Sequence, residues 1–578
     1  MKESNTYKYD LLRDCALLEK DKTFANLFEI ICSRSDIKAA AWLEGDSVHY
    51  LTYSEQKQLA DNYAAAFTGI FGTFGRVCIC LDSCKEWFPI CWGLLRSGHD
   101  ILTVDASASD TKLAGLMKQT NCTMLVSASR RNIDCIQTTA AEMASSPIVS
   151  DYTPIWGHDI ALCTSGTTSE SRIFVYKEET ICYLALFSRK ILKQNKRLID
   201  NKCFNTLAFL PFHHILGFSA IFIWSHFLGD TMVYLKDRSP QTIMNTCKKC
   251  HVTQIVSVPL LANSLCRGLK AELYKQGKAK SLAVEIMEYI SLAIQAILPR
   301  TGLALAKLMF RQIQENLLGT DIKSIVLGGS RTDRRSLRHL NALGYFTICG
   351  FGMTETAINS FETSYRLNNR LRGSIGTPML YTEFRIKNGG FRRKGELQIR
   401  GKGLHDGRFL NGELLPPDLD QDGWFTSGDI IKMERLFKRN FIIGRLKDVI
   451  VNESGENVYP DELEDLFATL RGVEQFTVLG TRKKGTRYED ITLAMFAGRN
   501  FSDPEFLKGL EDQIIRINRL LPVHKRLTRA VLSGVKLPMT NSFKVKRVDL
   551  KDMIEASAIV RIDYRRILSW FRASILSS

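Results

Sequence analysis

The stretch Thr164-Ser165-Gly166-Thr167-Thr168-Ser169-Glu170-Ser171-Arg172 is a loop of hydroxyl-bearing residues and one glycine between two short apolar runs. The runs, 160–163 and 173–176, are β-prone, so the loop is predicted to join two strands as a hairpin. Gly166 permits a tight backbone path with N–H groups turned inward, and the hydroxyls and Arg172 are suited to phosphate oxygens. The stretch therefore predicts a polyphosphate site; the alternative is a solvated turn, which such clusters often form.

This loop is not the phosphate loop of ATPases, which needs glycine, four residues and then Gly-Lys-Ser/Thr between a strand and a helix. It resembles the signature loop of the adenylate-forming superfamily, which includes acyl-CoA synthetases, aryl-CoA ligases, luciferases and the adenylation domains of peptide synthetases. The usual form is Ser/Thr-Ser-Gly-Thr-Thr-Gly-x-Pro-Lys. The chain departs from it at Ser169, Ser171 and Arg172, of which the last keeps the positive charge.

Length, composition and charge limit the number of domains and the kinds of partner that the chain can have. With 578 residues, 45% of them hydrophobic, the chain is long enough for two or more domains and a large buried core. The 15 cysteines form no paired CxxC array and the first residues form no apolar signal segment, so we expect a cytoplasmic protein with free thiols. A net charge of +17 favours anionic partners: nucleotide, coenzyme A, nucleic acid or a membrane surface.

The first 150 residues alternate apolar runs with helical patterns. Residues 77–81 and 101–104 are predicted strands, and 85–97 between them is a predicted helix. This alternation predicts an α/β fold with mostly parallel sheets flanked by helices. The resemblance adds a small, mobile C-terminal α+β domain.

A pair of histidines follows the next predicted strand, 207–210, in a segment that runs from Pro211 to Gly217. Ligands of α/β proteins bind where strands leave the sheet. The segment resembles the family's Pro-x-Phe-His-x-x-Gly, in which the residue matching His214 lies at the wall between acyl pocket and nucleotide. The alternative is two histidines hydrogen-bonded in a loop.

Two glycine-bearing turns follow two later predicted strands, 324–327 and 346–349. They are Gly328-Gly329-Ser330-Arg331 and Gly350-Phe351-Gly352-Met353-Thr354-Glu355-Thr356. Glycine lets the backbone approach a flat ring, and a carboxylate suits Mg²⁺ beside phosphates. Their order matches the superfamily's adenine-binding turn and its aromatic-Gly-x-Thr-Glu motif. The match implies that Phe351 stacks near adenine, Thr354 contacts phosphate and Glu355 binds the metal.

A carboxylate on a tight glycine turn is suited to accept both hydroxyls of a ribose, which makes Asp429 the candidate for that role. The alternative is an ordinary turn-forming aspartate. Beyond it, a hairpin around a glycine-rich turn and a helix beginning at Pro460 are predicted. By resemblance Arg445 reaches the ribose, Lys447 occupies the hinge position, and the Gly455 turn faces the thiol tunnel of CoA ligases.

The segment 537–547 resembles the family's Pro-x-Thr-x-x-Gly-Lys-x-x-Arg and places Lys544 at the catalytic lysine, with Phe543 in place of the glycine. Without the motif, Lys544 is one cation among several on a solvated turn. The helical stretch at about 265–320 and the tail 555–578 combine basic and apolar residues, as amphipathic segments on anionic membranes do. The apolar residues of the tail are predicted to form one face of a helix and its arginines the other. The alternatives are an ordinary solvated helical pair and a tail that packs on its own domain.

The resemblance covers nearly the whole chain, with its motifs in family order. It implies an AMP-binding domain at 1–443 that includes the helical insert, a lid domain at 444–554 and the tail at 555–578. It further implies an ATP- and Mg²⁺-dependent ligase that activates a carboxylic acid, here expected to be a fatty acid, to an acyl-adenylate and passes the acyl group to coenzyme A. The expected catalytic residues are Lys544, Glu355, Thr354 and His214.

Two alternatives stay open. The acyl group would go to a separate carrier protein in an acyl-carrier-protein ligase, or the fold would serve as a scaffold that has lost the chemistry, as the departures at Ser169, Ser171 and Phe543 allow. No nucleic-acid partner is expected.

Overall fold

Alternating strands and helices build the chain, in agreement with the α/β class that its apolar runs predict. The structure, a computed structural model, describes residues 2–149, 151–164, 172–194, 204–389, 393–434, 439–452, 456–482, 488–498, 503–539 and 545–563. The chain folds as two units. The first comprises Met1–Thr164, Glu170–Phe384 and Ile399–Phe425, and the second Ser165–Ser169, Arg385–Gln398 and Thr426–Ser578. The domain boundary at residue 443 stays a prediction.

Most strands belong to two large sheets of the first unit. In chain order the first nineteen strands are β1 (Lys38–Glu44), β2 (Ser47–Thr52), β3 (Arg76–Cys80), β4 (Asp100–Thr103), β5 (Met124–Ser127), β6 (Ile136–Thr139), β7 (Asp159–Cys163), β8 (Ile173–Lys177), β9 (Asn205–Leu207), β10 (Thr231–Val233), β11 (Gln254–Ser257), β12 (Ser324–Leu327), β13 (Phe346–Met353), β14 (Ala357–Phe361), β15 (Thr377–Pro378), β16 (Thr382–Ile386), β17 (Lys394–Gly401), β18 (Gly407–Leu410) and β19 (Glu413–Leu415). Within the described residues one sheet has the order β15-β14-β13-β12-β11-β9-β10-β1-β2 and the other β19-β18-β8-β7-β4-β3-β5-β6.

The centre of each sheet is parallel. Strands β9 to β13 pair in parallel in the first sheet, and strands β3 to β7 do so in the second. The predicted parallel sheets are therefore confirmed, with antiparallel strands added at the edges.

Helices flank these sheets. In the first unit they are α1 (Lys2–Lys20), α2 (Phe24–Cys32), α3 (Tyr53–Phe71), α4 (Trp87–Arg96), α5 (Asp110–Gln119), α6 (Ala140–Ala144), α7 (Glu178–Leu186), α8 (Ser188–Gln194), α9 (Trp224–Phe227), α10 (Pro240–Lys249), α11 (Pro259–Lys275), α12 (Lys278–Ile297), α13 (Pro299–Met309), α14 (Arg311–Leu317), α15 (Arg334–Ala342) and α16 (Leu367–Leu371). Helix α4 is buried along its whole length. The Trp92 ring of that helix lies 5.1 Å from Phe28, so aromatic packing joins α4 to α2 at the core.

The second unit holds most strands of three smaller sheets among the described residues. Its strands are β20 (Phe425–Glu434), β21 (Arg439–Arg445), β22 (Ile450–Val451), β23 (Asn457–Val458), β24 (Gln475–Arg482), β25 (Glu489–Phe496), β26 (Arg529–Ser533) and β27 (Val560–Asp563), and its helices are α17 (Pro460–Phe467), α18 (Pro504–Arg519) and α19 (Arg547–Glu555). Strands β24 to β27 form one sheet, and β16, β17, β20 and β21 form another. The predicted hairpin is the pair β22 and β23, and α17 begins at Pro460 as predicted.

Arg547 ties the segment before α19 to the rest of this unit. Its guanidinium donates to the carboxylates of Asp448 (2.9 Å), Asp461 (2.7 Å) and Glu464 (2.9 Å). Three charge-assisted bonds to one guanidinium restrict its position far more than a single exposed pair would. The end of the 537–547 motif is therefore anchored on the helix that begins at Pro460.

Two local predictions need correction. The strand predicted at 207–210 is β9, which ends at Leu207. The carbonyls of Phe209 and Leu210 bond to side chains instead of to a neighbouring strand: Phe209 accepts from Arg238 Nε (3.1 Å) and Leu210 from Ser83 Oγ (3.1 Å). The tail predicted as one amphipathic helical face begins instead as strand β27, because its alternating residues 560–563 pair with β26. Residues 564–578 lie outside the described residues.

The described helices include none that is both long enough and apolar enough to cross a bilayer. The described cysteines are free thiols, in agreement with the expectation from their spacing. Cys247 and Cys250 are buried in the core.

Candidate active site

The loop 164–172 joins β7 and β8, which pair antiparallel, so the predicted hairpin is confirmed. Its ends close on each other: the Thr164 N–H donates to the Arg172 carbonyl (2.8 Å), and the Arg172 N–H donates to Thr164 Oγ1 (3.1 Å). Thr164 is half-buried and Arg172 is exposed. Ser165, Gly166, Thr167 and Thr168 lie outside the described residues, so their phosphate role stays a prediction.

In the larger sheet, the parallel pairing of three strands ends at one level. Ser257 of β11 pairs with Leu327 of β12, which pairs with Cys349 of β13. The turn after β12, the glycine-bearing segment that begins at Gly350 and the segment with the histidines that follows β9 therefore lie at the same edge of the parallel part of the sheet. Loops at the carboxyl edge of a parallel sheet are where such folds bind ligands.

The turn after β12 begins with a main-chain bond, since the Gly328 N–H donates to the Ser257 carbonyl at 2.9 Å. Gly329 and Ser330, which follow it, are exposed. The first residue of this turn is therefore fixed to the neighbouring strand, and the next two are accessible to solvent.

The aromatic-Gly-x-Thr-Glu motif lies on a hairpin. Strand β13 runs on to Met353, beyond the predicted end at residue 349, because β14 starts at Ala357 and pairs with it. A side chain at Gly352 would place Cβ 2.4 Å from the Ala357 carbonyl oxygen, so the narrow hairpin needs glycine there. The Phe351 ring lies 6.4 Å from Phe384 in an edge-to-face arrangement.

The tip of this hairpin bonds to β8 of the other sheet and to the segment before β18. The hydroxyl of Tyr176, on β8, donates to the Thr354 carbonyl, and the His405 N–H donates to the Glu355 carbonyl at 3.0 Å. Burial, and then the charge of Glu355, raise the pKa of Tyr176 well above its usual value, so this phenol stays a donor. The contacts bring Thr354 and Glu355 to the hairpin whose loop is 164–172.

The histidine pair also lies where the two sheets approach. The His213 and His214 rings are 4.1 Å apart, and His213 Nε2 lies 3.6 Å from an oxygen of Asp105, in the loop after β4. Burial, followed by the neighbouring His214, lowers the pKa of His213 to about 3. The ring is therefore neutral at physiological pH, and its contact with Asp105 is not an ion pair.

Sequence reasoning assigned no role to His213, although it is the more buried of the two rings. Gly217 ends the segment, and the backbone passes so close to Pro211 that a Cβ at residue 217 would lie 2.2 Å from the Pro211 carbonyl oxygen.

In the second unit, Asp429 and Arg445 face each other on neighbouring strands. They are partners in the β20–β21 register, and Arg445 Nε donates to Asp429 Oδ1 at 3.1 Å. Asp429 is 3% exposed, and its N–H donates to Ser427 Oγ (3.1 Å), which fixes the turn before it. Lys447 is exposed in the 3₁₀ turn Leu446–Asp448 that follows β21. Gly455 and Lys544 lie outside the described residues.

Among the described residues, no group of three or more His, Cys, Asp and Glu side chains is arranged to hold a metal ion. The half-buried carboxylate of Glu355 is a ligand of the type that Mg²⁺ takes beside phosphates.

Comparison with protein families gives a match to the AMP-binding enzyme model over residues 32–407. A 2-succinylbenzoate–CoA ligase of Staphylococcus epidermidis is 22% identical over 302 residues, which are 52% of this chain and 59% of that protein. A long-chain-fatty-acid–(acyl-carrier-protein) ligase of Arabidopsis thaliana is 28% identical over 228 residues, 37% of this chain and 31% of that protein. The matches thus span less than two thirds of either relative.

Among solved structures, the chain is similar to the o-succinylbenzoate CoA synthetase of Bacillus subtilis in complex with an acyl-adenylate intermediate. The TM-score is 0.70 at 18% identity, over 91% of this chain and 98% of that one. The similarity extends over nearly the full length and concerns the fold.

Proposed function

This chain belongs to the AMP-binding enzyme family, and from that premise we propose that it joins a fatty acid to coenzyme A through an acyl-adenylate. The family match over residues 32–407 carries the proposal. It spans the loop 164–172, the histidine segment and both glycine-bearing turns, which follow β7, β9 and β12 in the chain or begin within β13.

The proposed reaction has two steps. In the first, a carboxylate oxygen attacks the α-phosphorus of ATP, an O–P bond forms, and the bond to the leaving pyrophosphate breaks. In the second, the thiol sulfur of coenzyme A attacks the acyl carbon, the bond to AMP breaks, and the thiol proton goes to solvent. A carboxylate needs this activation because its own oxygen is a poor leaving group.

We assign the triphosphate to the loop 164–172, with Arg172 as its cation. The turn Gly328-Gly329-Ser330 and the ring of Phe351 would take the adenine, with Gly352 letting the backbone come close. Thr354 would contact the phosphate, and His214 would stand between nucleotide and acyl chain.

Glu355 is the residue that we propose holds Mg²⁺. When bound beside phosphates, Mg²⁺ supplies positive charge that offsets the charge building on the leaving group. Lys544 would add a fixed cation for the same purpose.

In the second unit, the Asp429 carboxylate would accept the ribose hydroxyls. Arg445, already bonded to that carboxylate, would hold it in place and reach the ribose as well. Lys447 would absorb the rotation that exchanges the adenylating arrangement for the thiol-transfer arrangement, in which the Gly455 turn faces the thiol.

A carrier protein is the second candidate acceptor. The Arabidopsis relative, whose name states an acyl-carrier-protein acceptor, is the observation that favours it. Both acceptors present the same phosphopantetheine thiol, so the first step is common to the two.

The test incubates the purified chain with ATP, Mg²⁺ and straight-chain fatty acids of increasing length, with coenzyme A or with holo-acyl-carrier protein, and detects the thioester by mass spectrometry. The proposal predicts acyl-CoA that depends on both ATP and acid. Thioester on the carrier protein alone would replace coenzyme A as acceptor. Formation from 2-succinylbenzoate but from no fatty acid would refute the substrate class.

A further inference from the structure

Helix α12 (Lys278–Ile297) has its apolar and polar faces reversed relative to an ordinary surface helix. Five large apolar side chains on it are between 48% and 80% exposed: Leu282, Ile286, Tyr289, Ile290 and Ile297. Their spacing of four, three, one and seven residues puts them along one side of a helix. We call these five residues the α12 stripe.

The opposite face is buried and largely polar. Glu288, Ser291 and Gln295 are each at most 6% exposed. Glu288 Oε2 pairs with His339 Nδ1 (2.8 Å), Ser291 Oγ donates to the Ala342 carbonyl (2.7 Å), and Gln295 Nε2 donates to the Asn341 carbonyl (2.8 Å).

These bonds fix the rotation of the helix. Turning α12 to bury its stripe would break them and leave several buried polar groups without partners, each at a substantial cost. Gln295 Oε1 also accepts from the buried Arg370 (3.1 Å), so the network extends to α16. The stripe therefore faces outward because of specific interactions beneath it.

Cations lie at the start of α12 and beside Tyr289. Lys275 ends α11, and Lys278 and Lys280 begin α12; all three are exposed. The guanidinium of Arg338 lies 4.0 Å from the ring centre of Tyr289, within the stripe itself. Residues 265–320 contain eight Lys and Arg against four Asp and Glu, one of which is the buried Glu288.

We propose that the α12 stripe docks on an anionic membrane surface, with its apolar side chains among the acyl chains and its lysines at the headgroups. An amphipathic helix with apolar residues on one side and basic residues beside them binds such interfaces. Charge complementarity selects this occupant, because a second copy of the chain would bring the same cations against each other. The inference does not depend on the proposed reaction.

The test is flotation of the full chain with vesicles of phosphatidylcholine alone and of phosphatidylcholine with phosphatidylserine, at low and high salt. We expect binding to the anionic vesicles only, weakened by salt. Ile286→Gln with Ile290→Gln should reduce the bound fraction at least about tenfold, because two large side chains leave the acyl region. Lys278→Gln with Lys280→Gln should reduce it by about fivefold per lysine.

Two matched controls are Ile148→Gln, which removes an isoleucine that is 82% exposed elsewhere, and Lys508→Gln on α18. Both should bind like the unaltered chain, and thermal unfolding should show that every variant is folded. Absence of binding to anionic vesicles at low salt would overturn the proposal. So would equal loss in the controls, or sedimentation showing a dimer that the α12 variants dissociate.

Discussion

Replacing Asp429 by asparagine should weaken ATP binding with little change in the free energy of unfolding. The carboxylate is buried and bonded to Arg445, whose side chain is 44% exposed, so the ion pair itself stabilises the fold by no more than about 1 kcal/mol. Asparagine keeps one acceptor oxygen and loses the charge. A hydrogen bond to a charged group contributes about 1.5–3 kcal/mol, so losing one from the ribose should raise the KM for ATP roughly 10- to 100-fold.

The assay is ATP–pyrophosphate exchange at varied ATP, with thermal unfolding measured in parallel. Asp159→Asn is the matched control: it weakens a half-buried pair with Arg76 (2.6 Å) at the start of β7, away from the loop at its end. That variant should lose stability and keep its KM for ATP. A KM within about twofold of normal for Asp429→Asn, or an equal rise in the control, would refute the ribose assignment.

Other substitutions test separate parts of the site. Glu355→Ala should abolish pyrophosphate release by removing the metal's carboxylate, and near-normal release would show that the metal is held elsewhere. Gly352→Ala should destabilise the fold by about 1–3 kcal/mol, because its Cβ would lie 2.4 Å from a carbonyl oxygen. Gly115→Ala, with open space around it, should not destabilise the fold, and chemical denaturation of the two variants tests this difference. Lys544→Ala should lose acyl-AMP formation by ~10²–10³ yet still convert supplied acyl-AMP to thioester, and Lys447→Pro should do the reverse. Loss of the same half-reaction in both would argue against a lid mechanism.

Local sequence was sufficient for the strand–turn motifs. The loop 164–172 lies between β-prone runs, and those runs form the hairpin β7–β8 because the information is contained within about twenty residues. Where a partner from elsewhere decides the outcome, the sequence was insufficient. Strand β13 is longer than predicted because β14 pairs with it, and β27 is a strand because β26 offers an edge.

Helix α12 illustrates the limit most clearly. Periodicity places Ile286 and Ile290 on one apolar face, which ordinarily packs inward. In the structure the inward face carries Ser291 and Gln295, whose partners Ala342 and Asn341 are 51 and 46 residues away. No pattern within the helix encodes those distant carbonyls.

The candidate site likewise combines features that local sequence predicts with features that distant partners determine. Motif order indicated turns after strands, and the common level at which the parallel pairing of β11, β12 and β13 ends explains why these turns lie at one edge. The burial of His213 beside Asp105 depends on two loops separated by more than one hundred residues, so the sequence offered no means of distinguishing it from His214 as the more buried ring.

Carboxylate-dependent ATP–pyrophosphate exchange tests the central claim most directly. Labelled pyrophosphate is incubated with the chain, ATP and Mg²⁺, with and without each member of a broad panel of carboxylic acids, and its incorporation into ATP is measured. An adenylating enzyme should show exchange only when an accepted acid is present, with fatty acids among those accepted, because acyl-AMP formation must run in both directions. No acid-dependent exchange across the panel, from a folded chain that binds ATP, would contradict the account and leave a scaffold with this fold.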